Sequence, residues 1–305
     1  KNQASLNRII VTISRKSSKE SKYKYSIKRS NQVAIKDREG VKSTQEGFLY
    51  EENAYKALQK YKISTGGTAG ASHDKPDLTI QSKGKTPIGC ELKNSPTAAG
   101  SLVMKYTDGV WSYGETKGDP EKVFLMDLGE QFNLLTEMNH SGTFGAKWRG
   151  KIPHLQNDAR GKKILVDAAN KSEAYQKDLK QFGATNEVHI PVKAKAICDY
   201  YNAKNCDYIN VGTHGFYLLN KRDPLGLNKH LIPHIPDFAD IAASKIRVRC
   251  QYKGGGDYQF VMTLEFSKMT KSYYNLAPVM NASNVNINML AYQQNYNQKL
   301  IEAFA

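Results

Sequence analysis

Period-two alternation marks the start of the chain. In residues 22–28, Tyr23, Tyr25 and Ile27 alternate with Lys24, Ser26 and Lys28, so a strand there has one apolar and one cationic face. Residues 8–13 and 32–36 are also strand-like, and the Ser-, Lys- and Asn-rich turns between the three runs predict a small antiparallel meander. From Thr44 the apolar spacing becomes helical. Leu49, Tyr55 and Leu58 form a stripe, Gln45, Glu46, Glu51 and Glu52 lie near its start, and a Gly/Ser/Thr-rich segment at 64–72 ends it. Two strands are expected next, at 77–81 and 88–92, joined by a turn-like segment at 82–87. A strand at 122–128 leading into a helix at 130–138 completes an α/β unit.

The second half is less regular. After a polar Gly/Lys/Asn-rich stretch at 139–163, a strand at 163–166 and helices at 172–182 and 192–202 are expected. Residues 207–219 and 245–266 are rich in β-branched and aromatic side chains, with turns at Gly212, Gly215 and Gly254-Gly255-Gly256, and predict a second sheet. A Gln/Asn-rich helix is expected at 284–304. The reading is therefore an α/β protein in three parts: a basic β-rich extension at 1–43, a core at 44–150, and an α+β region at 151–305 suited to substrate recognition. The last boundary falls between 150 and 185.

Charge narrows the partner. The net charge is +15, and residues 1–45 hold 12 Lys or Arg against 3 Asp or Glu, so most of the surplus is at one end. An anionic polymer fits that asymmetry. Nucleic acid fits better than a membrane surface, because the basic residues lie in strand-like sequence and not on an amphipathic helix. A solvated basic face and lysines that protect sheet edges are the alternatives. No apolar run reaches about 18 residues, and the polar start lacks a secretory signal, so an intracellular protein, cytoplasmic or nucleoid-associated, is expected. Cys90, Cys198, Cys206 and Cys250 form no CxxC pair, which predicts buried, reduced thiols and neither zinc nor disulfides.

One short stretch carries chemistry. On a hairpin, Asp77 at the start of one strand and Glu91 near the end of the next face each other, while Glu91 and Lys93, two residues apart, project from the same face. Leu92 between them points to the opposite, buried face and leaves its carbonyl as a further oxygen ligand. Converging carboxylates of this kind suit a hard divalent cation. Pro76-Asp77, thirteen residues, then Glu91-Leu92-Lys93 resembles the PD-(D/E)XK signature of the restriction-endonuclease-like nucleases. Upstream, Gly47, Glu51 and Leu58 resemble the Gly-x-x-x-Glu helix preceding the hairpin in archaeal Holliday-junction resolvases.

That resemblance implies a nuclease core of mixed sheet flanked by helices. By it, Asp77, Glu91 and the Leu92 carbonyl bind Mg²⁺, with Mn²⁺ as substitute. Lys93 orients or activates the attacking water, and Glu51, or its neighbour Glu52, supports the metal shell from the helix. The neighbouring carboxylates and phosphate favour the charged form of Lys93, so water positioning and charge stabilisation suit it better than general-base action. The expected activity is Mg²⁺-dependent cleavage of DNA, of restriction, homing or junction-resolving type, with RNA and a homodimer left open. An exonuclease and an inactive nucleic-acid-binding protein of the same fold are the alternatives.

Other candidates rank lower. Gly84-Lys85-Thr86 resembles the end of a phosphate-binding loop, but no Gly stands five residues before Gly84 and a strand is expected to follow. Pro236-Asp237 with Glu265 and Lys268 forms a second acidic set, in which a helix cap accounts better for Asp237. Ser72, His73, Lys105 and Tyr106 flank the hairpin and are candidates to reach a bound phosphate, with surface or loop residues as the plainer account. Tyr200, Tyr201, Tyr217, Arg247 and Arg249 are candidates for substrate contact, with buried sheet aromatics and ladder charges as the plainer account.

Overall fold

A computed structural model describes residues 8–14, 24–30, 39–63, 75–81, 86–148, 173, 176, 177, 179–181, 183, 185–254, 257–277 and 287–304. The chain divides into two units, 1–48 and 49–305. In the first, β1 (Arg8–Ser14) and β2 (Lys24–Ser30) pair antiparallel, with Val11 opposite Ile27. Two of the three expected strands are thus present, and the third, at 32–36, lies outside the described residues. Helix α1 (Glu39–Lys60) begins in this unit, a turn earlier than its apolar spacing indicated.

The second unit is mixed α/β, with two sheets flanked by helices. Strands β3 (Leu78–Ile80) and β4 (Ile88–Lys93) form the expected antiparallel hairpin. Beyond it come β5 (Ala98–Thr107) and β6 (Val110–Tyr113), which the sequence reading did not anticipate. Asp108 and Gly109 join them, both at positive φ, as a tight Asp-Gly hairpin turn requires. Residues 122–128 are not a strand: they lie in α2 (Pro120–Gln131). The Asp119 carboxylate caps its first turn by accepting from the Glu121 amide at 3.0 Å, and Pro120 occupies the position where a missing N–H costs nothing. These start signals outweigh the β-like run Val123-Phe124-Leu125-Met126. Helix α3 (Leu134–Asn139) follows.

Next are β7 (Glu187–Val192), α4 (Lys195–Ala203), β8 (Cys206–Val211), β9 (Gly215–Leu218) and α5 (Phe238–Ile241). The long pair β10 (Ala243–Gly254) and β11 (Asp257–Ser267) and helix α6 (Ile287–Phe304) complete the chain. The strand expected at 163–166 and most of the helix at 172–182 lie outside the described residues.

The two late β segments do not make a sheet of their own. One sheet has the order β3-β4-β8-β9, with β4 and β8 parallel, and the other has the antiparallel order β6-β5-β11-β10-β7. Both sheets therefore mix strands from either side of residue 150. A crossover is what parallel β4 and β8 require, and the segment between them supplies it. β8 is buried along its whole length, and its two polar residues have partners there, Asp207 with Arg222 at 2.8 Å and Asn210 with Tyr50 and Leu276.

Two cores flank the four-stranded sheet. Leu78, Ile80, Cys90, Leu92, Tyr208 and Phe216 pack with Tyr50, Ala54 and Leu58 of α1 and with Leu300, Ile301 and Phe304 of α6. The buried stripe of α1 is thus Tyr50-Ala54-Leu58, while Leu49, expected in it, is exposed. The other core joins Ile209, Val211 and Tyr217 to α4, α2 and the five-stranded sheet. All four cysteines are free and buried, as expected.

Asn210 clamps this arrangement. Its Nδ2 donates to the Tyr50 hydroxyl at 2.8 Å, and its Oδ1 accepts from the Leu276 amide at 3.0 Å, tying β8 to α1 and to the segment after β11. Asn210→Leu keeps the branching at Cγ but leaves buried partners unsatisfied. It is expected to cost on the order of 2–4 kcal/mol, read as a lower midpoint in urea with an unchanged slope.

Candidate active site

The register of the hairpin places the signature residues. Leu78 pairs with Cys90, so Asp77, one step earlier, stands across from Glu91. The backbone amide of Leu92 donates to Asp77 Oδ2 at 3.0 Å, which fixes the carboxylate at this level of the sheet. Leu92 sends its side chain into the core with α1, as alternation demands, and Glu91 and Lys93 share the other face. The backbone group of Leu92 that meets Asp77 is its amide; the carbonyl was the expected metal ligand.

Glu91 is fully buried and doubly paired. Lys93 Nζ lies 2.6 Å from its Oε1, and Lys204 Nζ lies 3.1 Å from its Oε2. Lys204 also lies 3.1 Å from Glu121 Oε1 on α2, and its side chain is only 9% exposed. Both ammonium groups sit near the ring of Tyr201 on α4, at 5.7 Å and 5.9 Å from its centroid. Cys206 Sγ is 4.0 Å from Glu91 Oε2. Glu51 Oε2, Glu91 Oε1 and the Tyr201 hydroxyl oxygen are buried without a hydrogen-bond partner of good geometry among the described residues, so the short Lys93–Glu91 contact is an ion pair more than a well-directed hydrogen bond.

Charge couples these groups. Burial pushes Glu91 up, but Lys93 and Lys204 overcome it and hold it below the ordinary carboxylate range. Burial works to lower Lys93, yet Glu91, Tyr201 and Asp77 together keep it well above the usual lysine value, so it remains an ammonium. Asp77 and Glu51 are less well compensated. Burial first, then the negative charge of Glu91, raises Asp77 to about 7, against the pull of both lysines. Burial, then Asp77, raises Glu51 to about 8. Glu51 of α1 therefore belongs to the cluster, whereas its neighbour Glu52 pairs with Lys56 at 2.7 Å.

The donor set suits a hard divalent cation. Among the described residues, no three His, Cys, Asp or Glu side chains are gathered as a ready-made metal cage. Mg²⁺ is commonly held by one or two carboxylates, with water and substrate phosphate completing its shell. Asp77 and Glu91 offer that pair. The unpartnered Glu51 Oε2 and the mutual repulsion of the three carboxylates are what added positive charge here would relieve.

The remaining candidates are engaged elsewhere or are not described. Ser72 and His73 lie outside the described residues. Lys105 pairs with Glu115 at 2.5 Å on the five-stranded sheet, and Tyr106 stacks obliquely on Trp111 at 5.0 Å. Asp237 caps α5, accepting from the Ala239 amide at 2.9 Å, while Glu265 pairs with Arg247 at 2.8 Å, so the second acidic set is structural. Tyr200 and Tyr217 are core residues. Lys204, Glu121 and the position of Tyr201 went unread: Lys204 lies in a helix-to-strand turn, and Glu121 fell at the edge of the mistaken strand. Comparison with protein families, with curated proteins and with solved structures found no match to this chain. Among the described residues no helix is long and apolar enough to cross a membrane.

A carboxyl raised by folding favours the native state below its unfolded-state value, and that contribution is lost as pH climbs through the folded value. For Glu51 the window runs from the ordinary 4.5 to about 8. Without added metal, the melting temperature is expected to decline across that window, and Glu51→Gln, which cannot ionise, should decline less. Parallel pH profiles for the two proteins would contradict the placement of Glu51 in the cluster.

Proposed function

We propose that the chain is a metal-dependent nuclease, an endodeoxyribonuclease with a restriction-endonuclease-like core. The observation that carries this reading is the cross-strand placement of Asp77 and Glu91, with the Lys93 ammonium 2.6 Å from Glu91 and Glu51 of α1 in the same electrostatic cluster. The resemblance to the PD-(D/E)XK signature and the basic surplus of the chain support it.

Asp77 and Glu91 are the groups to hold Mg²⁺ or Mn²⁺, with Glu51 adding negative charge beside them. The bound ion supplies Lewis-acid charge at the phosphate and a more acidic water. Lys93, kept protonated by its neighbours, serves as a hydrogen-bond donor that orients the attacking water and steadies charge on the phosphate oxygens. Burial of Glu91 and the wall formed by Tyr201 limit water around these charges, which strengthens their interactions. Affinity for DNA is assigned mainly to phosphate contacts of Lys and Arg elsewhere on the chain.

A second reading, a nucleic-acid-binding module that does not cut, is favoured by one observation: both Glu91 oxygens already pair with ammonium groups. One assay separates the two. Supercoiled, linear and branched DNA are incubated with the protein in Mg²⁺ or Mn²⁺. The nuclease reading predicts nicked and linearised circles, with cleavage reduced at least about 100-fold by Asp77→Asn and by Lys93→Ala while DNA binding persists. Binding without cleavage of any substrate supports the module instead. Cleavage that needs free ends points to an exonuclease.

A further inference from the structure

Lys204 is not part of the signature, yet it makes two ion pairs within the cluster. It follows α4 directly, and the turn it opens is tightly fitted: a side chain at Gly89 would collide with the Asn205 carbonyl, so only glycine lets this turn lie against β4. The parallel pairing of β4 with β8 then brings Lys204 to Glu91. Its ammonium is shared, 3.1 Å from Glu91 Oε2 and 3.1 Å from Glu121 Oε1, against the face of Tyr201.

We propose that Lys204 is a positioning residue that acts as a built-in placeholder cation, holding the second oxygen of Glu91 until a divalent ion takes that oxygen and leaves the ammonium to Glu121. This rests on the reading of Asp77 and Glu91 as metal ligands. The geometry gives each partner a distinct task. Glu91 is fully buried, so without metal its charge needs the two ammonium groups. Glu121 is the alternative seat: it pairs with the same ammonium from α2, and its charge offsets the repulsion between Lys204 and an arriving cation. The ring of Tyr201 gives the ammonium a third contact that is independent of Glu91.

The test is Mn²⁺ binding to the full chain at pH 8, measured by calorimetry, with melting temperatures taken with and without Mn²⁺. Lys204→Met removes the competitor and is expected to tighten Mn²⁺ binding roughly fivefold or more, while melting lower than the native protein in the absence of metal and gaining more from its addition. Glu121→Gln removes the alternative seat and is expected to weaken binding by a similar factor. Lys122→Met, the same charge change on the neighbouring residue, whose ammonium pairs with Asp119, should alter affinity less than about twofold.

If the native chain binds Mn²⁺ and Lys204→Met binds it no more tightly than Lys122→Met does, the placeholder role is wrong while the metal site stands. If the native chain binds no Mn²⁺, both fail. Should Lys204→Met not fold, Glu121→Gln decides alone: weaker binding supports the role, and unchanged binding overturns it.

Discussion

A carboxylate with no access to water organises this part of the molecule. Glu91 stands in a strand paired on both edges, to β3 and to β8, so it cannot swing outward to find solvent. An isolated buried charge is too costly to persist, and the cost falls only when cations and hydrogen bonds surround it. One cation comes from the same strand two residues on, the other from a turn 113 residues later in the chain. The parallel pairing of β4 with β8, the glycine that lets the turn approach, and the burial of β8 between two cores all serve that meeting.

Compensation is complete for Glu91 and incomplete around it. Asp77, Glu51 and Glu121 add three more carboxylates to a neighbourhood whose cations are Lys93 and Lys204. The result is unequal: the lysines pull Glu91 down, while Asp77 and Glu51 are left raised by burial and mutual repulsion. A purely structural ion-pair network would gain nothing from this surplus of acidic groups, because each uncompensated carboxyl lowers stability as it ionises with rising pH. A site that takes up a divalent cation has a use for it. This is the physical argument for reading the cluster as chemistry, and it does not depend on the sequence signature.

The signature itself was legible because it is local. Asp77, Glu91 and Lys93 lie within one hairpin, and the two-residue period fixes their relative faces before any tertiary contact is known. Glu51 was readable only through its spacing to Gly47, and its true neighbours are electrostatic. Lys204 and Glu121 were invisible for a different reason, since their proximity to Glu91 is set by sheet order and by a crossover, which period and composition do not encode. The misreading at 122–128 shows how a short apolar run is decided by its ends: Asp119 and Pro120 specify a helix start that the run alone conceals. The hairpin of β5 and β6 had its signal in Asp108-Gly109, and the merging of late strands into both sheets had none. In α1, Leu58 is buried as expected and Tyr55 packs partly buried against the same core, while Tyr50 and Ala54 rather than exposed Leu49 complete the stripe.

The central claim is that Asp77 and Glu91 together hold a divalent cation. Anomalous scattering from crystals of the protein grown in Mn²⁺ tests it most directly, since the metal reports its own position. The account predicts a single strong peak at roughly 2.1–2.3 Å from a carboxylate oxygen of each residue, with the Lys93 ammonium beside it. A map with no peak there, in which Lys93 and Lys204 still occupy both oxygens of Glu91 at saturating Mn²⁺, would contradict it.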